Sequence, residues 1–457
     1  MRDPVRVGFH TLGCKVNQYE TQALREAFTK LGAVTVPEGA PADIYVINTC
    51  TVTNIADRKS RQFIRRMKAL CPDAVMVATG CYAQVSAEAL EDMPEVDLII
   101  GNSLKSEIPE RALALLRERE AGQAEGLRPE VRLLSYAELT RYEDMGLITS
   151  GGGEMSRAYI KIEEGCNRFC AYCLIPYARG RIRSRDPEEI LREAELLLQK
   201  GYHELVLTGI NTALYGREPE FTFDREPGEE DMEPLEALIR RLDRMDGDFR
   251  VRLSSLEPTV VDKQNVERIV RYGRLCRHLH LSIQSGSTSV LERMNRHYTA
   301  EEYLAIVRAL REYDSLYGIT TDIIVGFPGE TEAEFEETLE AVRRAGFGRV
   351  HIFRYSRRKG TAAVRLPDPV PGPVAAERAA RLEEVARQSA EAFDRANLGT
   401  VRTVLAEERE GDYMLGYTGN YIRTAVYDPD GRIAPGALVR VKLTGLTEDG
   451  CRAEPVE

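Results

Sequence analysis

Three cysteines lie close together in "EEGCNRFCAYC": Cys166, Cys170 and Cys173, spaced C-x3-C-x2-C. Thiols this near one another on a loop suit a metal better than a packed core. Zinc is one candidate, but a structural zinc site wants four protein ligands. No Cys or His follows at a customary zinc spacing. A cubane iron–sulfur cluster held by three cysteines leaves one iron open to a substrate or cofactor. The missing fourth ligand favours the cluster.

Three further cysteines are scattered: Cys14 in "HTLGC", Cys50 in "INTC" and Cys81 in "ATGC". A lone cysteine usually packs as a small hydrophobe. Each of these, however, follows an apolar run: Val5–Phe9, Asp43–Ile47 and Ala74–Ala78. Helical patterns over Tyr19–Leu31 and Ala56–Leu70 separate the runs, so they read as strands of a parallel sheet. All strand C-termini of such a sheet share one edge, where ligands bind. Cys14, Cys50 and Cys81 should meet there. Cys71 precedes its strand, in "LCPDAVMV", and belongs at the opposite edge. Cys276 and Cys451 carry no such signal.

The elements that must position the first triad begin after a Gly-rich linker, "LITSGGGEMSR" (147–157). Residues 158–360 repeat a strand–helix unit about six times. Strands are expected at Ala158–Glu163, Glu204–Thr208, Arg250–Ser254, His278–Ile283, Thr320–Val325 and Arg349–Phe353. Helices at 187–200, 235–245, 261–273, 300–316 and 331–345 join them. Six units predict a partial (β/α)6 barrel with its chemistry in the loops after the strands. The acidic segment Arg217–Pro234 reads as a solvated insertion. "VGFPGET" (325–331) lacks the lysine and hydroxyl of a phosphate loop and reads as a strand-to-helix turn capped by Thr331. A Pro-rich stretch (366–374) and a polar helix (375–396) lead to alternating, β-branched segments over 397–457, a small β-barrel. The fold class is therefore α/β: an N-terminal parallel sheet domain (1–146), a central partial barrel (147–375), a connecting helix (376–396) and a C-terminal β-barrel (397–457).

Composition bounds the setting. The 457 residues are 43% hydrophobic and 30% charged, with no apolar run long enough to span a bilayer and no secretory start. A cytoplasmic location without membrane contact is expected, where cysteines stay reduced. The net charge of −11 argues against bulk attraction to nucleic acid, and the C-terminal segment holds seven basic against ten acidic side chains. Two local basic runs remain: Arg58, Lys59 and Arg61, and Arg179, Arg181, Arg183 and Arg185. The second starts six residues after Cys173, where its guanidiniums are able to meet a phosphate backbone or form salt bridges.

C-x3-C-x2-C with Tyr172 before its last cysteine resembles the signature of radical S-adenosylmethionine enzymes. The resemblance extends along the chain. "GCNRFCAYCLIPYARGRIRSR", "LTGINTALYG", "LSIQSGSTSVLERMNR" and "TDIIVGFPGET" occur in the order of the methylthiotransferase family, which ends in a TRAM barrel. It implies S-adenosylmethionine and two [4Fe-4S] clusters, one on Cys166, Cys170 and Cys173 and a sulfur-delivering one on Cys14, Cys50 and Cys81. By position, Tyr172, Thr208, Gly209, Ser255, Glu257, Gln284 and Ser285 are cofactor-binding candidates. Turn formation is the plain alternative for each of the polar ones. No general acid or base is assigned.

"LGCKVNQYET", "INTCTVTNIADRKSRQ" and "LSSLEP" most resemble the branch acting on N6-threonylcarbamoyladenosine-37 of tRNA. The implied reaction replaces the C2 hydrogen of adenine with a methylthio group. The implied partners are tRNA and an electron donor such as a flavodoxin or ferredoxin. Other readings are methylthiolation of isopentenyladenosine-37 or of a ribosomal-protein aspartate, or an iron–sulfur electron carrier with an RNA-binding tail.

Overall fold

A computed structural model describes residues 3–51, 53–123, 128–149, 156–258 and 263–456. The N-terminal domain runs β1 (Arg6–Thr11), α1 (Lys15–Lys30), β2 (Val34–Val36), β3 (Ile44–Thr49), α2 (Asn54–Leu70) and β4 (Val75–Gly80). It continues through α3 (Cys81–Val85), α4 (Ala87–Glu91), β5 (Leu98–Ile100), α5 (Ile108–Glu120) and β6 (Glu130–Arg132). The strands form one parallel sheet in the order β2-β1-β3-β4-β5-β6. The central strands β3 and β4 are buried throughout, which is why they read as continuous apolar runs. Ile44 and Val46 face α1 and α5, whereas Tyr45 and Ile47 face α2 and α4. The three strands expected from the sequence are present. β2, β5 and β6 are three residues each, too short to leave a periodic signal.

The central domain contains β7 (Ala158–Lys161), β8 (Glu163–Glu164), α6 (Ile175–Arg179), β9 (Arg183–Ser184), α7 (Pro187–Gln199), β10 (Glu204–Thr208) and α8 (Pro234–Asp243). It goes on with β11 (Arg250–Leu253), β12 (Ser255–Leu256), α9 (Lys263–Ile269), β13 (His278–Leu281), α10 (Thr288–Arg293) and α11 (Ala300–Tyr313), then β14 (Gly318–Val325), α12 (Glu332–Ala345) and β15 (Arg349–Arg354). All six expected strands are there, in two parallel sheets, β7-β10-β11 and β12-β13-β14-β15, an open barrel. Thr331 caps α12 in a reciprocal box with Glu334. The first two residues expected in the 261–273 helix lie outside the described residues.

Two expectations need correction. The segment 217–234 is not a free insertion. Phe221 and Phe223 pack on the barrel core, and Glu229 is buried with Oε2 2.9 Å from Arg241 Nη2. Apolar anchors inside an acidic stretch outweigh its charge. The Gly-rich linker is tethered at its start: Ile148 is in the core and its N–H donates to Glu193 Oε2 at 3.2 Å, while residues 150–155 lie outside the described ones.

α13 (Gly372–Asn397) starts within the Pro-rich stretch, with proline in its first turn. It leads to β16 (Val401–Glu410), β17 (Tyr413–Thr418), β18 (Arg423–Tyr427), β19 (Leu438–Leu446) and β20 (Cys451–Pro455), a closed barrel in the order β16-β17-β18-β20-β19. This barrel docks under the N-terminal ends of the central strands. Arg250 donates to Thr403 O and Tyr417 O, both at 2.9 Å, Asn420 Nδ2 donates to Leu316 O at 3.0 Å, and Tyr421 stacks on His278 at 4.4 Å. The β17–β18 turn therefore closes the end of the barrel opposite the cysteine loops. No helix among the described residues is long and apolar enough to cross a membrane.

A Cβ at Gly318 would stand 2.1 Å from Asn420 O. Gly318→Ala should therefore loosen this docking by about 1–3 kcal/mol. A lower melting temperature and faster proteolysis between α13 and β16 are the expected readouts.

Candidate functional site

Cys14, Cys50 and Cys81 end adjacent strands, as their sequence positions imply. Cys14 stands just ahead of α1, Cys50 directly follows β3, and Cys81 opens α3 after β4. The turns demand glycine. Gly13 has φ 101° and Gly80 has φ 95°, and a Cβ at Gly80 would stand 2.3 Å from Thr49 O. A Cβ at Gly13 would meet Cys50 Sγ at 2.8 Å, so the first two loops touch. Buried amides stitch the strand ends: Asn17 Nδ2 donates to Leu12 O (2.6 Å) and Thr49 O (3.1 Å), and Asn48 Nδ2 to Asn17 O (3.0 Å). Cys71 lies at the other edge, its Sγ 3.8 Å from the Tyr45 hydroxyl.

Cys166, Cys170 and Cys173 follow β8 on a loop held by backbone bonds. Ala171 N–H donates to Met294 O at 2.8 Å, and Asn295 Nδ2 donates to Phe169 O at 3.0 Å. Phe169 is held at φ 48°, an unusual conformation for a bulky residue. Arg296 Nη1 donates to Cys170 Sγ at 3.3 Å, and Ile175 N–H to Cys173 Sγ at 3.4 Å. Burial pushes the Cys173 thiol up to about 12 and raises Cys166 and Cys14 as well. Such thiols keep their protons at neutral pH and lose them when a metal binds. Cys14 is the most exposed of the six.

The two triads face each other. α3, headed by Cys81, packs against α6, which follows Cys173, and the charge of Cys81 bears on Cys173. Arg179, the last residue of α6 and fully buried, joins them. Its Nε lies 3.2 Å from Cys81 Sγ, while Nη1 donates to Glu20 Oε1 (2.8 Å) and Glu164 Oε1 (2.6 Å). Lys161 Nζ bridges the same two carboxylates at 3.0 and 2.5 Å, and Lys105 pairs with Glu20. Three buried cations thus meet two carboxylates, and the surplus positive charge rests against Cys81 sulfur.

The donor set fits a large group. Zn–S bonds of about 2.3 Å hold thiolates about 3.8 Å apart. Among the described residues only His280, Asp322 and His351 bring three ligand atoms within 4.8 Å of one another; neither cysteine triad is so tight. Three thiols per site, spread more widely than zinc needs and without a fourth ligand, suit an iron–sulfur cluster. Two orphaned oxygens, Glu163 Oε1 and Thr208 Oγ1, are buried near the same strand ends without a partner and suit a polar cofactor.

The remaining candidates divide. Thr208 is fully buried at the end of β10, and Gly209 lies so close to Glu163 that a Cβ would be 2.6 Å from its Oε2. Glu257 pairs with Arg168 (2.7 Å) and Arg296 (3.6 Å) and accepts from Asn211 (3.2 Å); Ser255 lies two residues before it. Glu257 is thereby tied to the Cys166–Cys173 loop. Tyr172 packs edge-on to Phe327, and Gln284 is half-buried at φ 68°. Ser285 is a correction: its hydroxyl is buried 3.2 Å from Thr338 Oγ1 of α12 and caps Ser287 N–H, a packing role.

The second basic run is corrected more strongly. Arg179, Arg183 and Arg185 are all buried, the last pairing with Glu193 at 2.9 Å, so they face no RNA in this arrangement. Arg179 turns inward onto Glu20 and Glu164, Arg185 onto Glu193, and Arg183 onto the Ser103 hydroxyl and the Arg141 carbonyl. Arg181 is exposed over the Tyr136 ring, Arg58 and Lys59 are exposed on α2, and Arg61 donates to the Tyr82 hydroxyl at 2.5 Å. Sequence reasoning missed Glu20, Lys105, Lys161, Arg168 and Arg296. Only Arg168, inside the cysteine motif, and Glu20, one helical turn from Asn17, left a usable signal.

Comparison with known proteins agrees with this geometry. Residues 160–342 match the Radical SAM superfamily, and residues 6–101 match an uncharacterized protein family, UPF0004. The chain is 39% identical over 446 residues to the threonylcarbamoyladenosine tRNA methylthiotransferase MtaB of Bacillus subtilis (strain 168), covering 96% of this chain and 93% of that one. It is 33% identical over 443 residues to a tRNA-2-methylthio-N(6)-dimethylallyladenosine synthase of Moorella thermoacetica, covering 95% and 94%. A solved radical S-adenosylmethionine methyltransferase, TsrM of Kitasatospora setae, shares the fold at TM-score 0.54 and 15% identity, over 79% and 77% of the two chains.

Arg179→Met strands two buried carboxylates with fewer cations. It should cost about 3–5 kcal/mol of stability, measured by urea unfolding under anaerobic conditions.

Proposed function

The chain belongs to the radical S-adenosylmethionine tRNA methylthiotransferase family, and on that premise we propose that it converts N6-threonylcarbamoyladenosine-37 of tRNA to its 2-methylthio form. The observation that carries this reading is the pair of facing cysteine triads joined through Arg179. When bound, a [4Fe-4S] cluster with S-adenosylmethionine would supply radical chemistry for the C2–H position, and a second cluster would supply sulfur. The protein's own work is to hold two reactive sites face to face and to keep water from them. Cys166, Cys170 and Cys173 would hold the first cluster, and Cys14, Cys50 and Cys81 the second. Thr208, Gly209 and the carboxylate of Glu163 would line the cofactor.

The RNA-facing residues differ from those the basic motif suggested. Arg357, Lys359 and Arg365 line a cavity of about 420 Å³ with no acidic side chain in its wall, and none of the three pairs with a carboxylate among the described residues. The loop they occupy is pinned beside Cys50: Arg358 donates to Asn54 Oδ1 (2.6 Å) and Asp57 Oδ2 (2.7 Å), and Gly360 adjoins Leu174. Point cations there suit phosphates of an RNA that reaches the cysteine loops. A cytoplasmic setting and a low-potential electron donor such as a flavodoxin or ferredoxin belong to the same reading.

Two measurements test it. Nucleosides from a strain lacking this gene should lose 2-methylthio-N6-threonylcarbamoyladenosine by mass spectrometry. Persistence of that nucleoside without a second such enzyme, or loss of the methylthiolated isopentenyl nucleoside instead, overturns the assignment. The anaerobically reconstituted protein should carry about eight irons, and replacing Cys14, Cys50 and Cys81 together by Ala should remove about half.

A further inference from the structure

His280 on β13, Asp322 on β14 and His351 on β15 come from three adjacent parallel strands, and the register sets Asp322 beside His351. Successive side chains on a strand point to opposite faces. Their neighbours Leu281, Ile323 and Ile352 share one core with Leu304 of α11 and Leu339 of α12. The three polar side chains therefore project the other way, into the interior of the open barrel. All three are half-buried, and one ligand atom from each lies within 4.8 Å of the other two.

His280 Nε2 is 3.0 Å from Asp322 Oδ2. Two neighbouring ligand atoms bonded to one ion at about 2.1 Å stand this far apart. The other ring nitrogen of His280 lies 2.9 Å from Thr320 Oγ1, an outer partner of the kind that orients a metal-ligating imidazole. Ser282 holds the carboxylate in the same way, donating to Oδ2 at 2.8 Å. Asp322 has no lysine or arginine partner among the described residues; its ion pair is with His280. Neither ring nitrogen of His351 makes a hydrogen bond among them, and its ring stands 5.8 Å from that of His280. Burial lowers the His351 pKa below its ordinary value and keeps the ring neutral, the form that binds metal. A plain His280–Asp322 hydrogen bond explains two of these groups. It does not explain a second neutral imidazole beside them with no partner of its own.

The geometry points to a site for one divalent transition-metal ion, held by His280, Asp322 and His351 and separate from both cysteine triads. Two imidazoles and one carboxylate leave coordination positions open to the barrel interior, where water or an anionic oxygen would complete the shell. The site borders the first cysteine loop. Ser282 O, just past β13, accepts from Arg296 Nη2 at 3.2 Å, and Arg296 Nη1 donates to Cys170 Sγ at 3.3 Å. It stands whichever nucleoside the protein modifies.

The test titrates Mn²⁺ into the cluster-loaded full chain, its clusters oxidised, and follows electron paramagnetic resonance. The free-ion signal should fall by about one ion per chain, and pulsed spectra of the bound ion should show coupling to imidazole nitrogen. Zn²⁺ should displace it, because such sites hold zinc more tightly than manganese. Asp322→Asn and His351→Gln should each weaken binding about 100-fold, and Thr320→Val, which removes only an outer partner, about 10-fold. Iron content and melting temperature report whether each variant keeps its clusters and its fold. Weakened binding in both ligand variants, with iron and melting temperature retained, supports the site. If a variant fails to fold, the nitrogen coupling of the native protein decides. If the native protein takes up neither Mn²⁺ nor Zn²⁺, the three residues are a hydrogen-bonded cluster only and the proposal falls. If Mn²⁺ binds without nitrogen coupling, or binds His351→Gln as it binds the native protein, the ion sits elsewhere and the proposal falls too.

Discussion

Two carboxylates, Glu20 from the N-terminal domain and Glu164 from the central one, lie in the interior with Arg179, Lys161 and Lys105 around them. Charges are costly to bury unless each finds a partner at close range, so this arrangement tolerates little relative movement of the domains. Arg179 is fixed by it and in turn donates to Cys81 sulfur, which places a sulfur of one triad against the helix that follows the other. Much of the site's geometry follows. The asparagines that stitch the strand ends, the glycine turns at positions 13 and 80, and the backbone-pinned loop at 166–173 bring thiols to the boundary. The buried ion lattice decides that the two sets face each other across it.

The same boundary explains how the ends of the central barrel are used. Its lower end is closed by the C-terminal β-barrel, through Arg250, Asn420 and the stack of Tyr421 on His278. Its upper end carries the cysteines and is overhung by the N-terminal domain. A substrate reaching the clusters must therefore enter at the upper rim, near the cations of the 357–365 loop. The C-terminal barrel, acidic on balance, does not sit at that rim.

The sequence alone was informative wherever chemistry depends on local spacing. C-x3-C-x2-C is legible because all three ligands come from one loop. The convergence of Cys14, Cys50 and Cys81 is legible because every strand of a parallel sheet ends at the same edge, and Cys71 is excluded by that reasoning. The longer strands, the open barrel, the cap at Thr331 and the C-terminal barrel follow from periodicity and turn residues in the same way. Short strands and the apolar anchors within 217–234 were not legible, since a few residues leave no period and acidic composition masks two phenylalanines.

What the tertiary structure alone decided concerns charge. Arg179, Arg183 and Arg185 look in sequence like the cationic run they form, yet they are buried against Glu20, Glu164, Glu193 and backbone carbonyls contributed by other segments. A side chain's type and neighbours along the chain set what bonds it is able to make. Which partner it meets, and whether water is there, depends on how separate segments pack, as Arg179 on Glu20, 159 residues away, shows, and no local pattern encodes that.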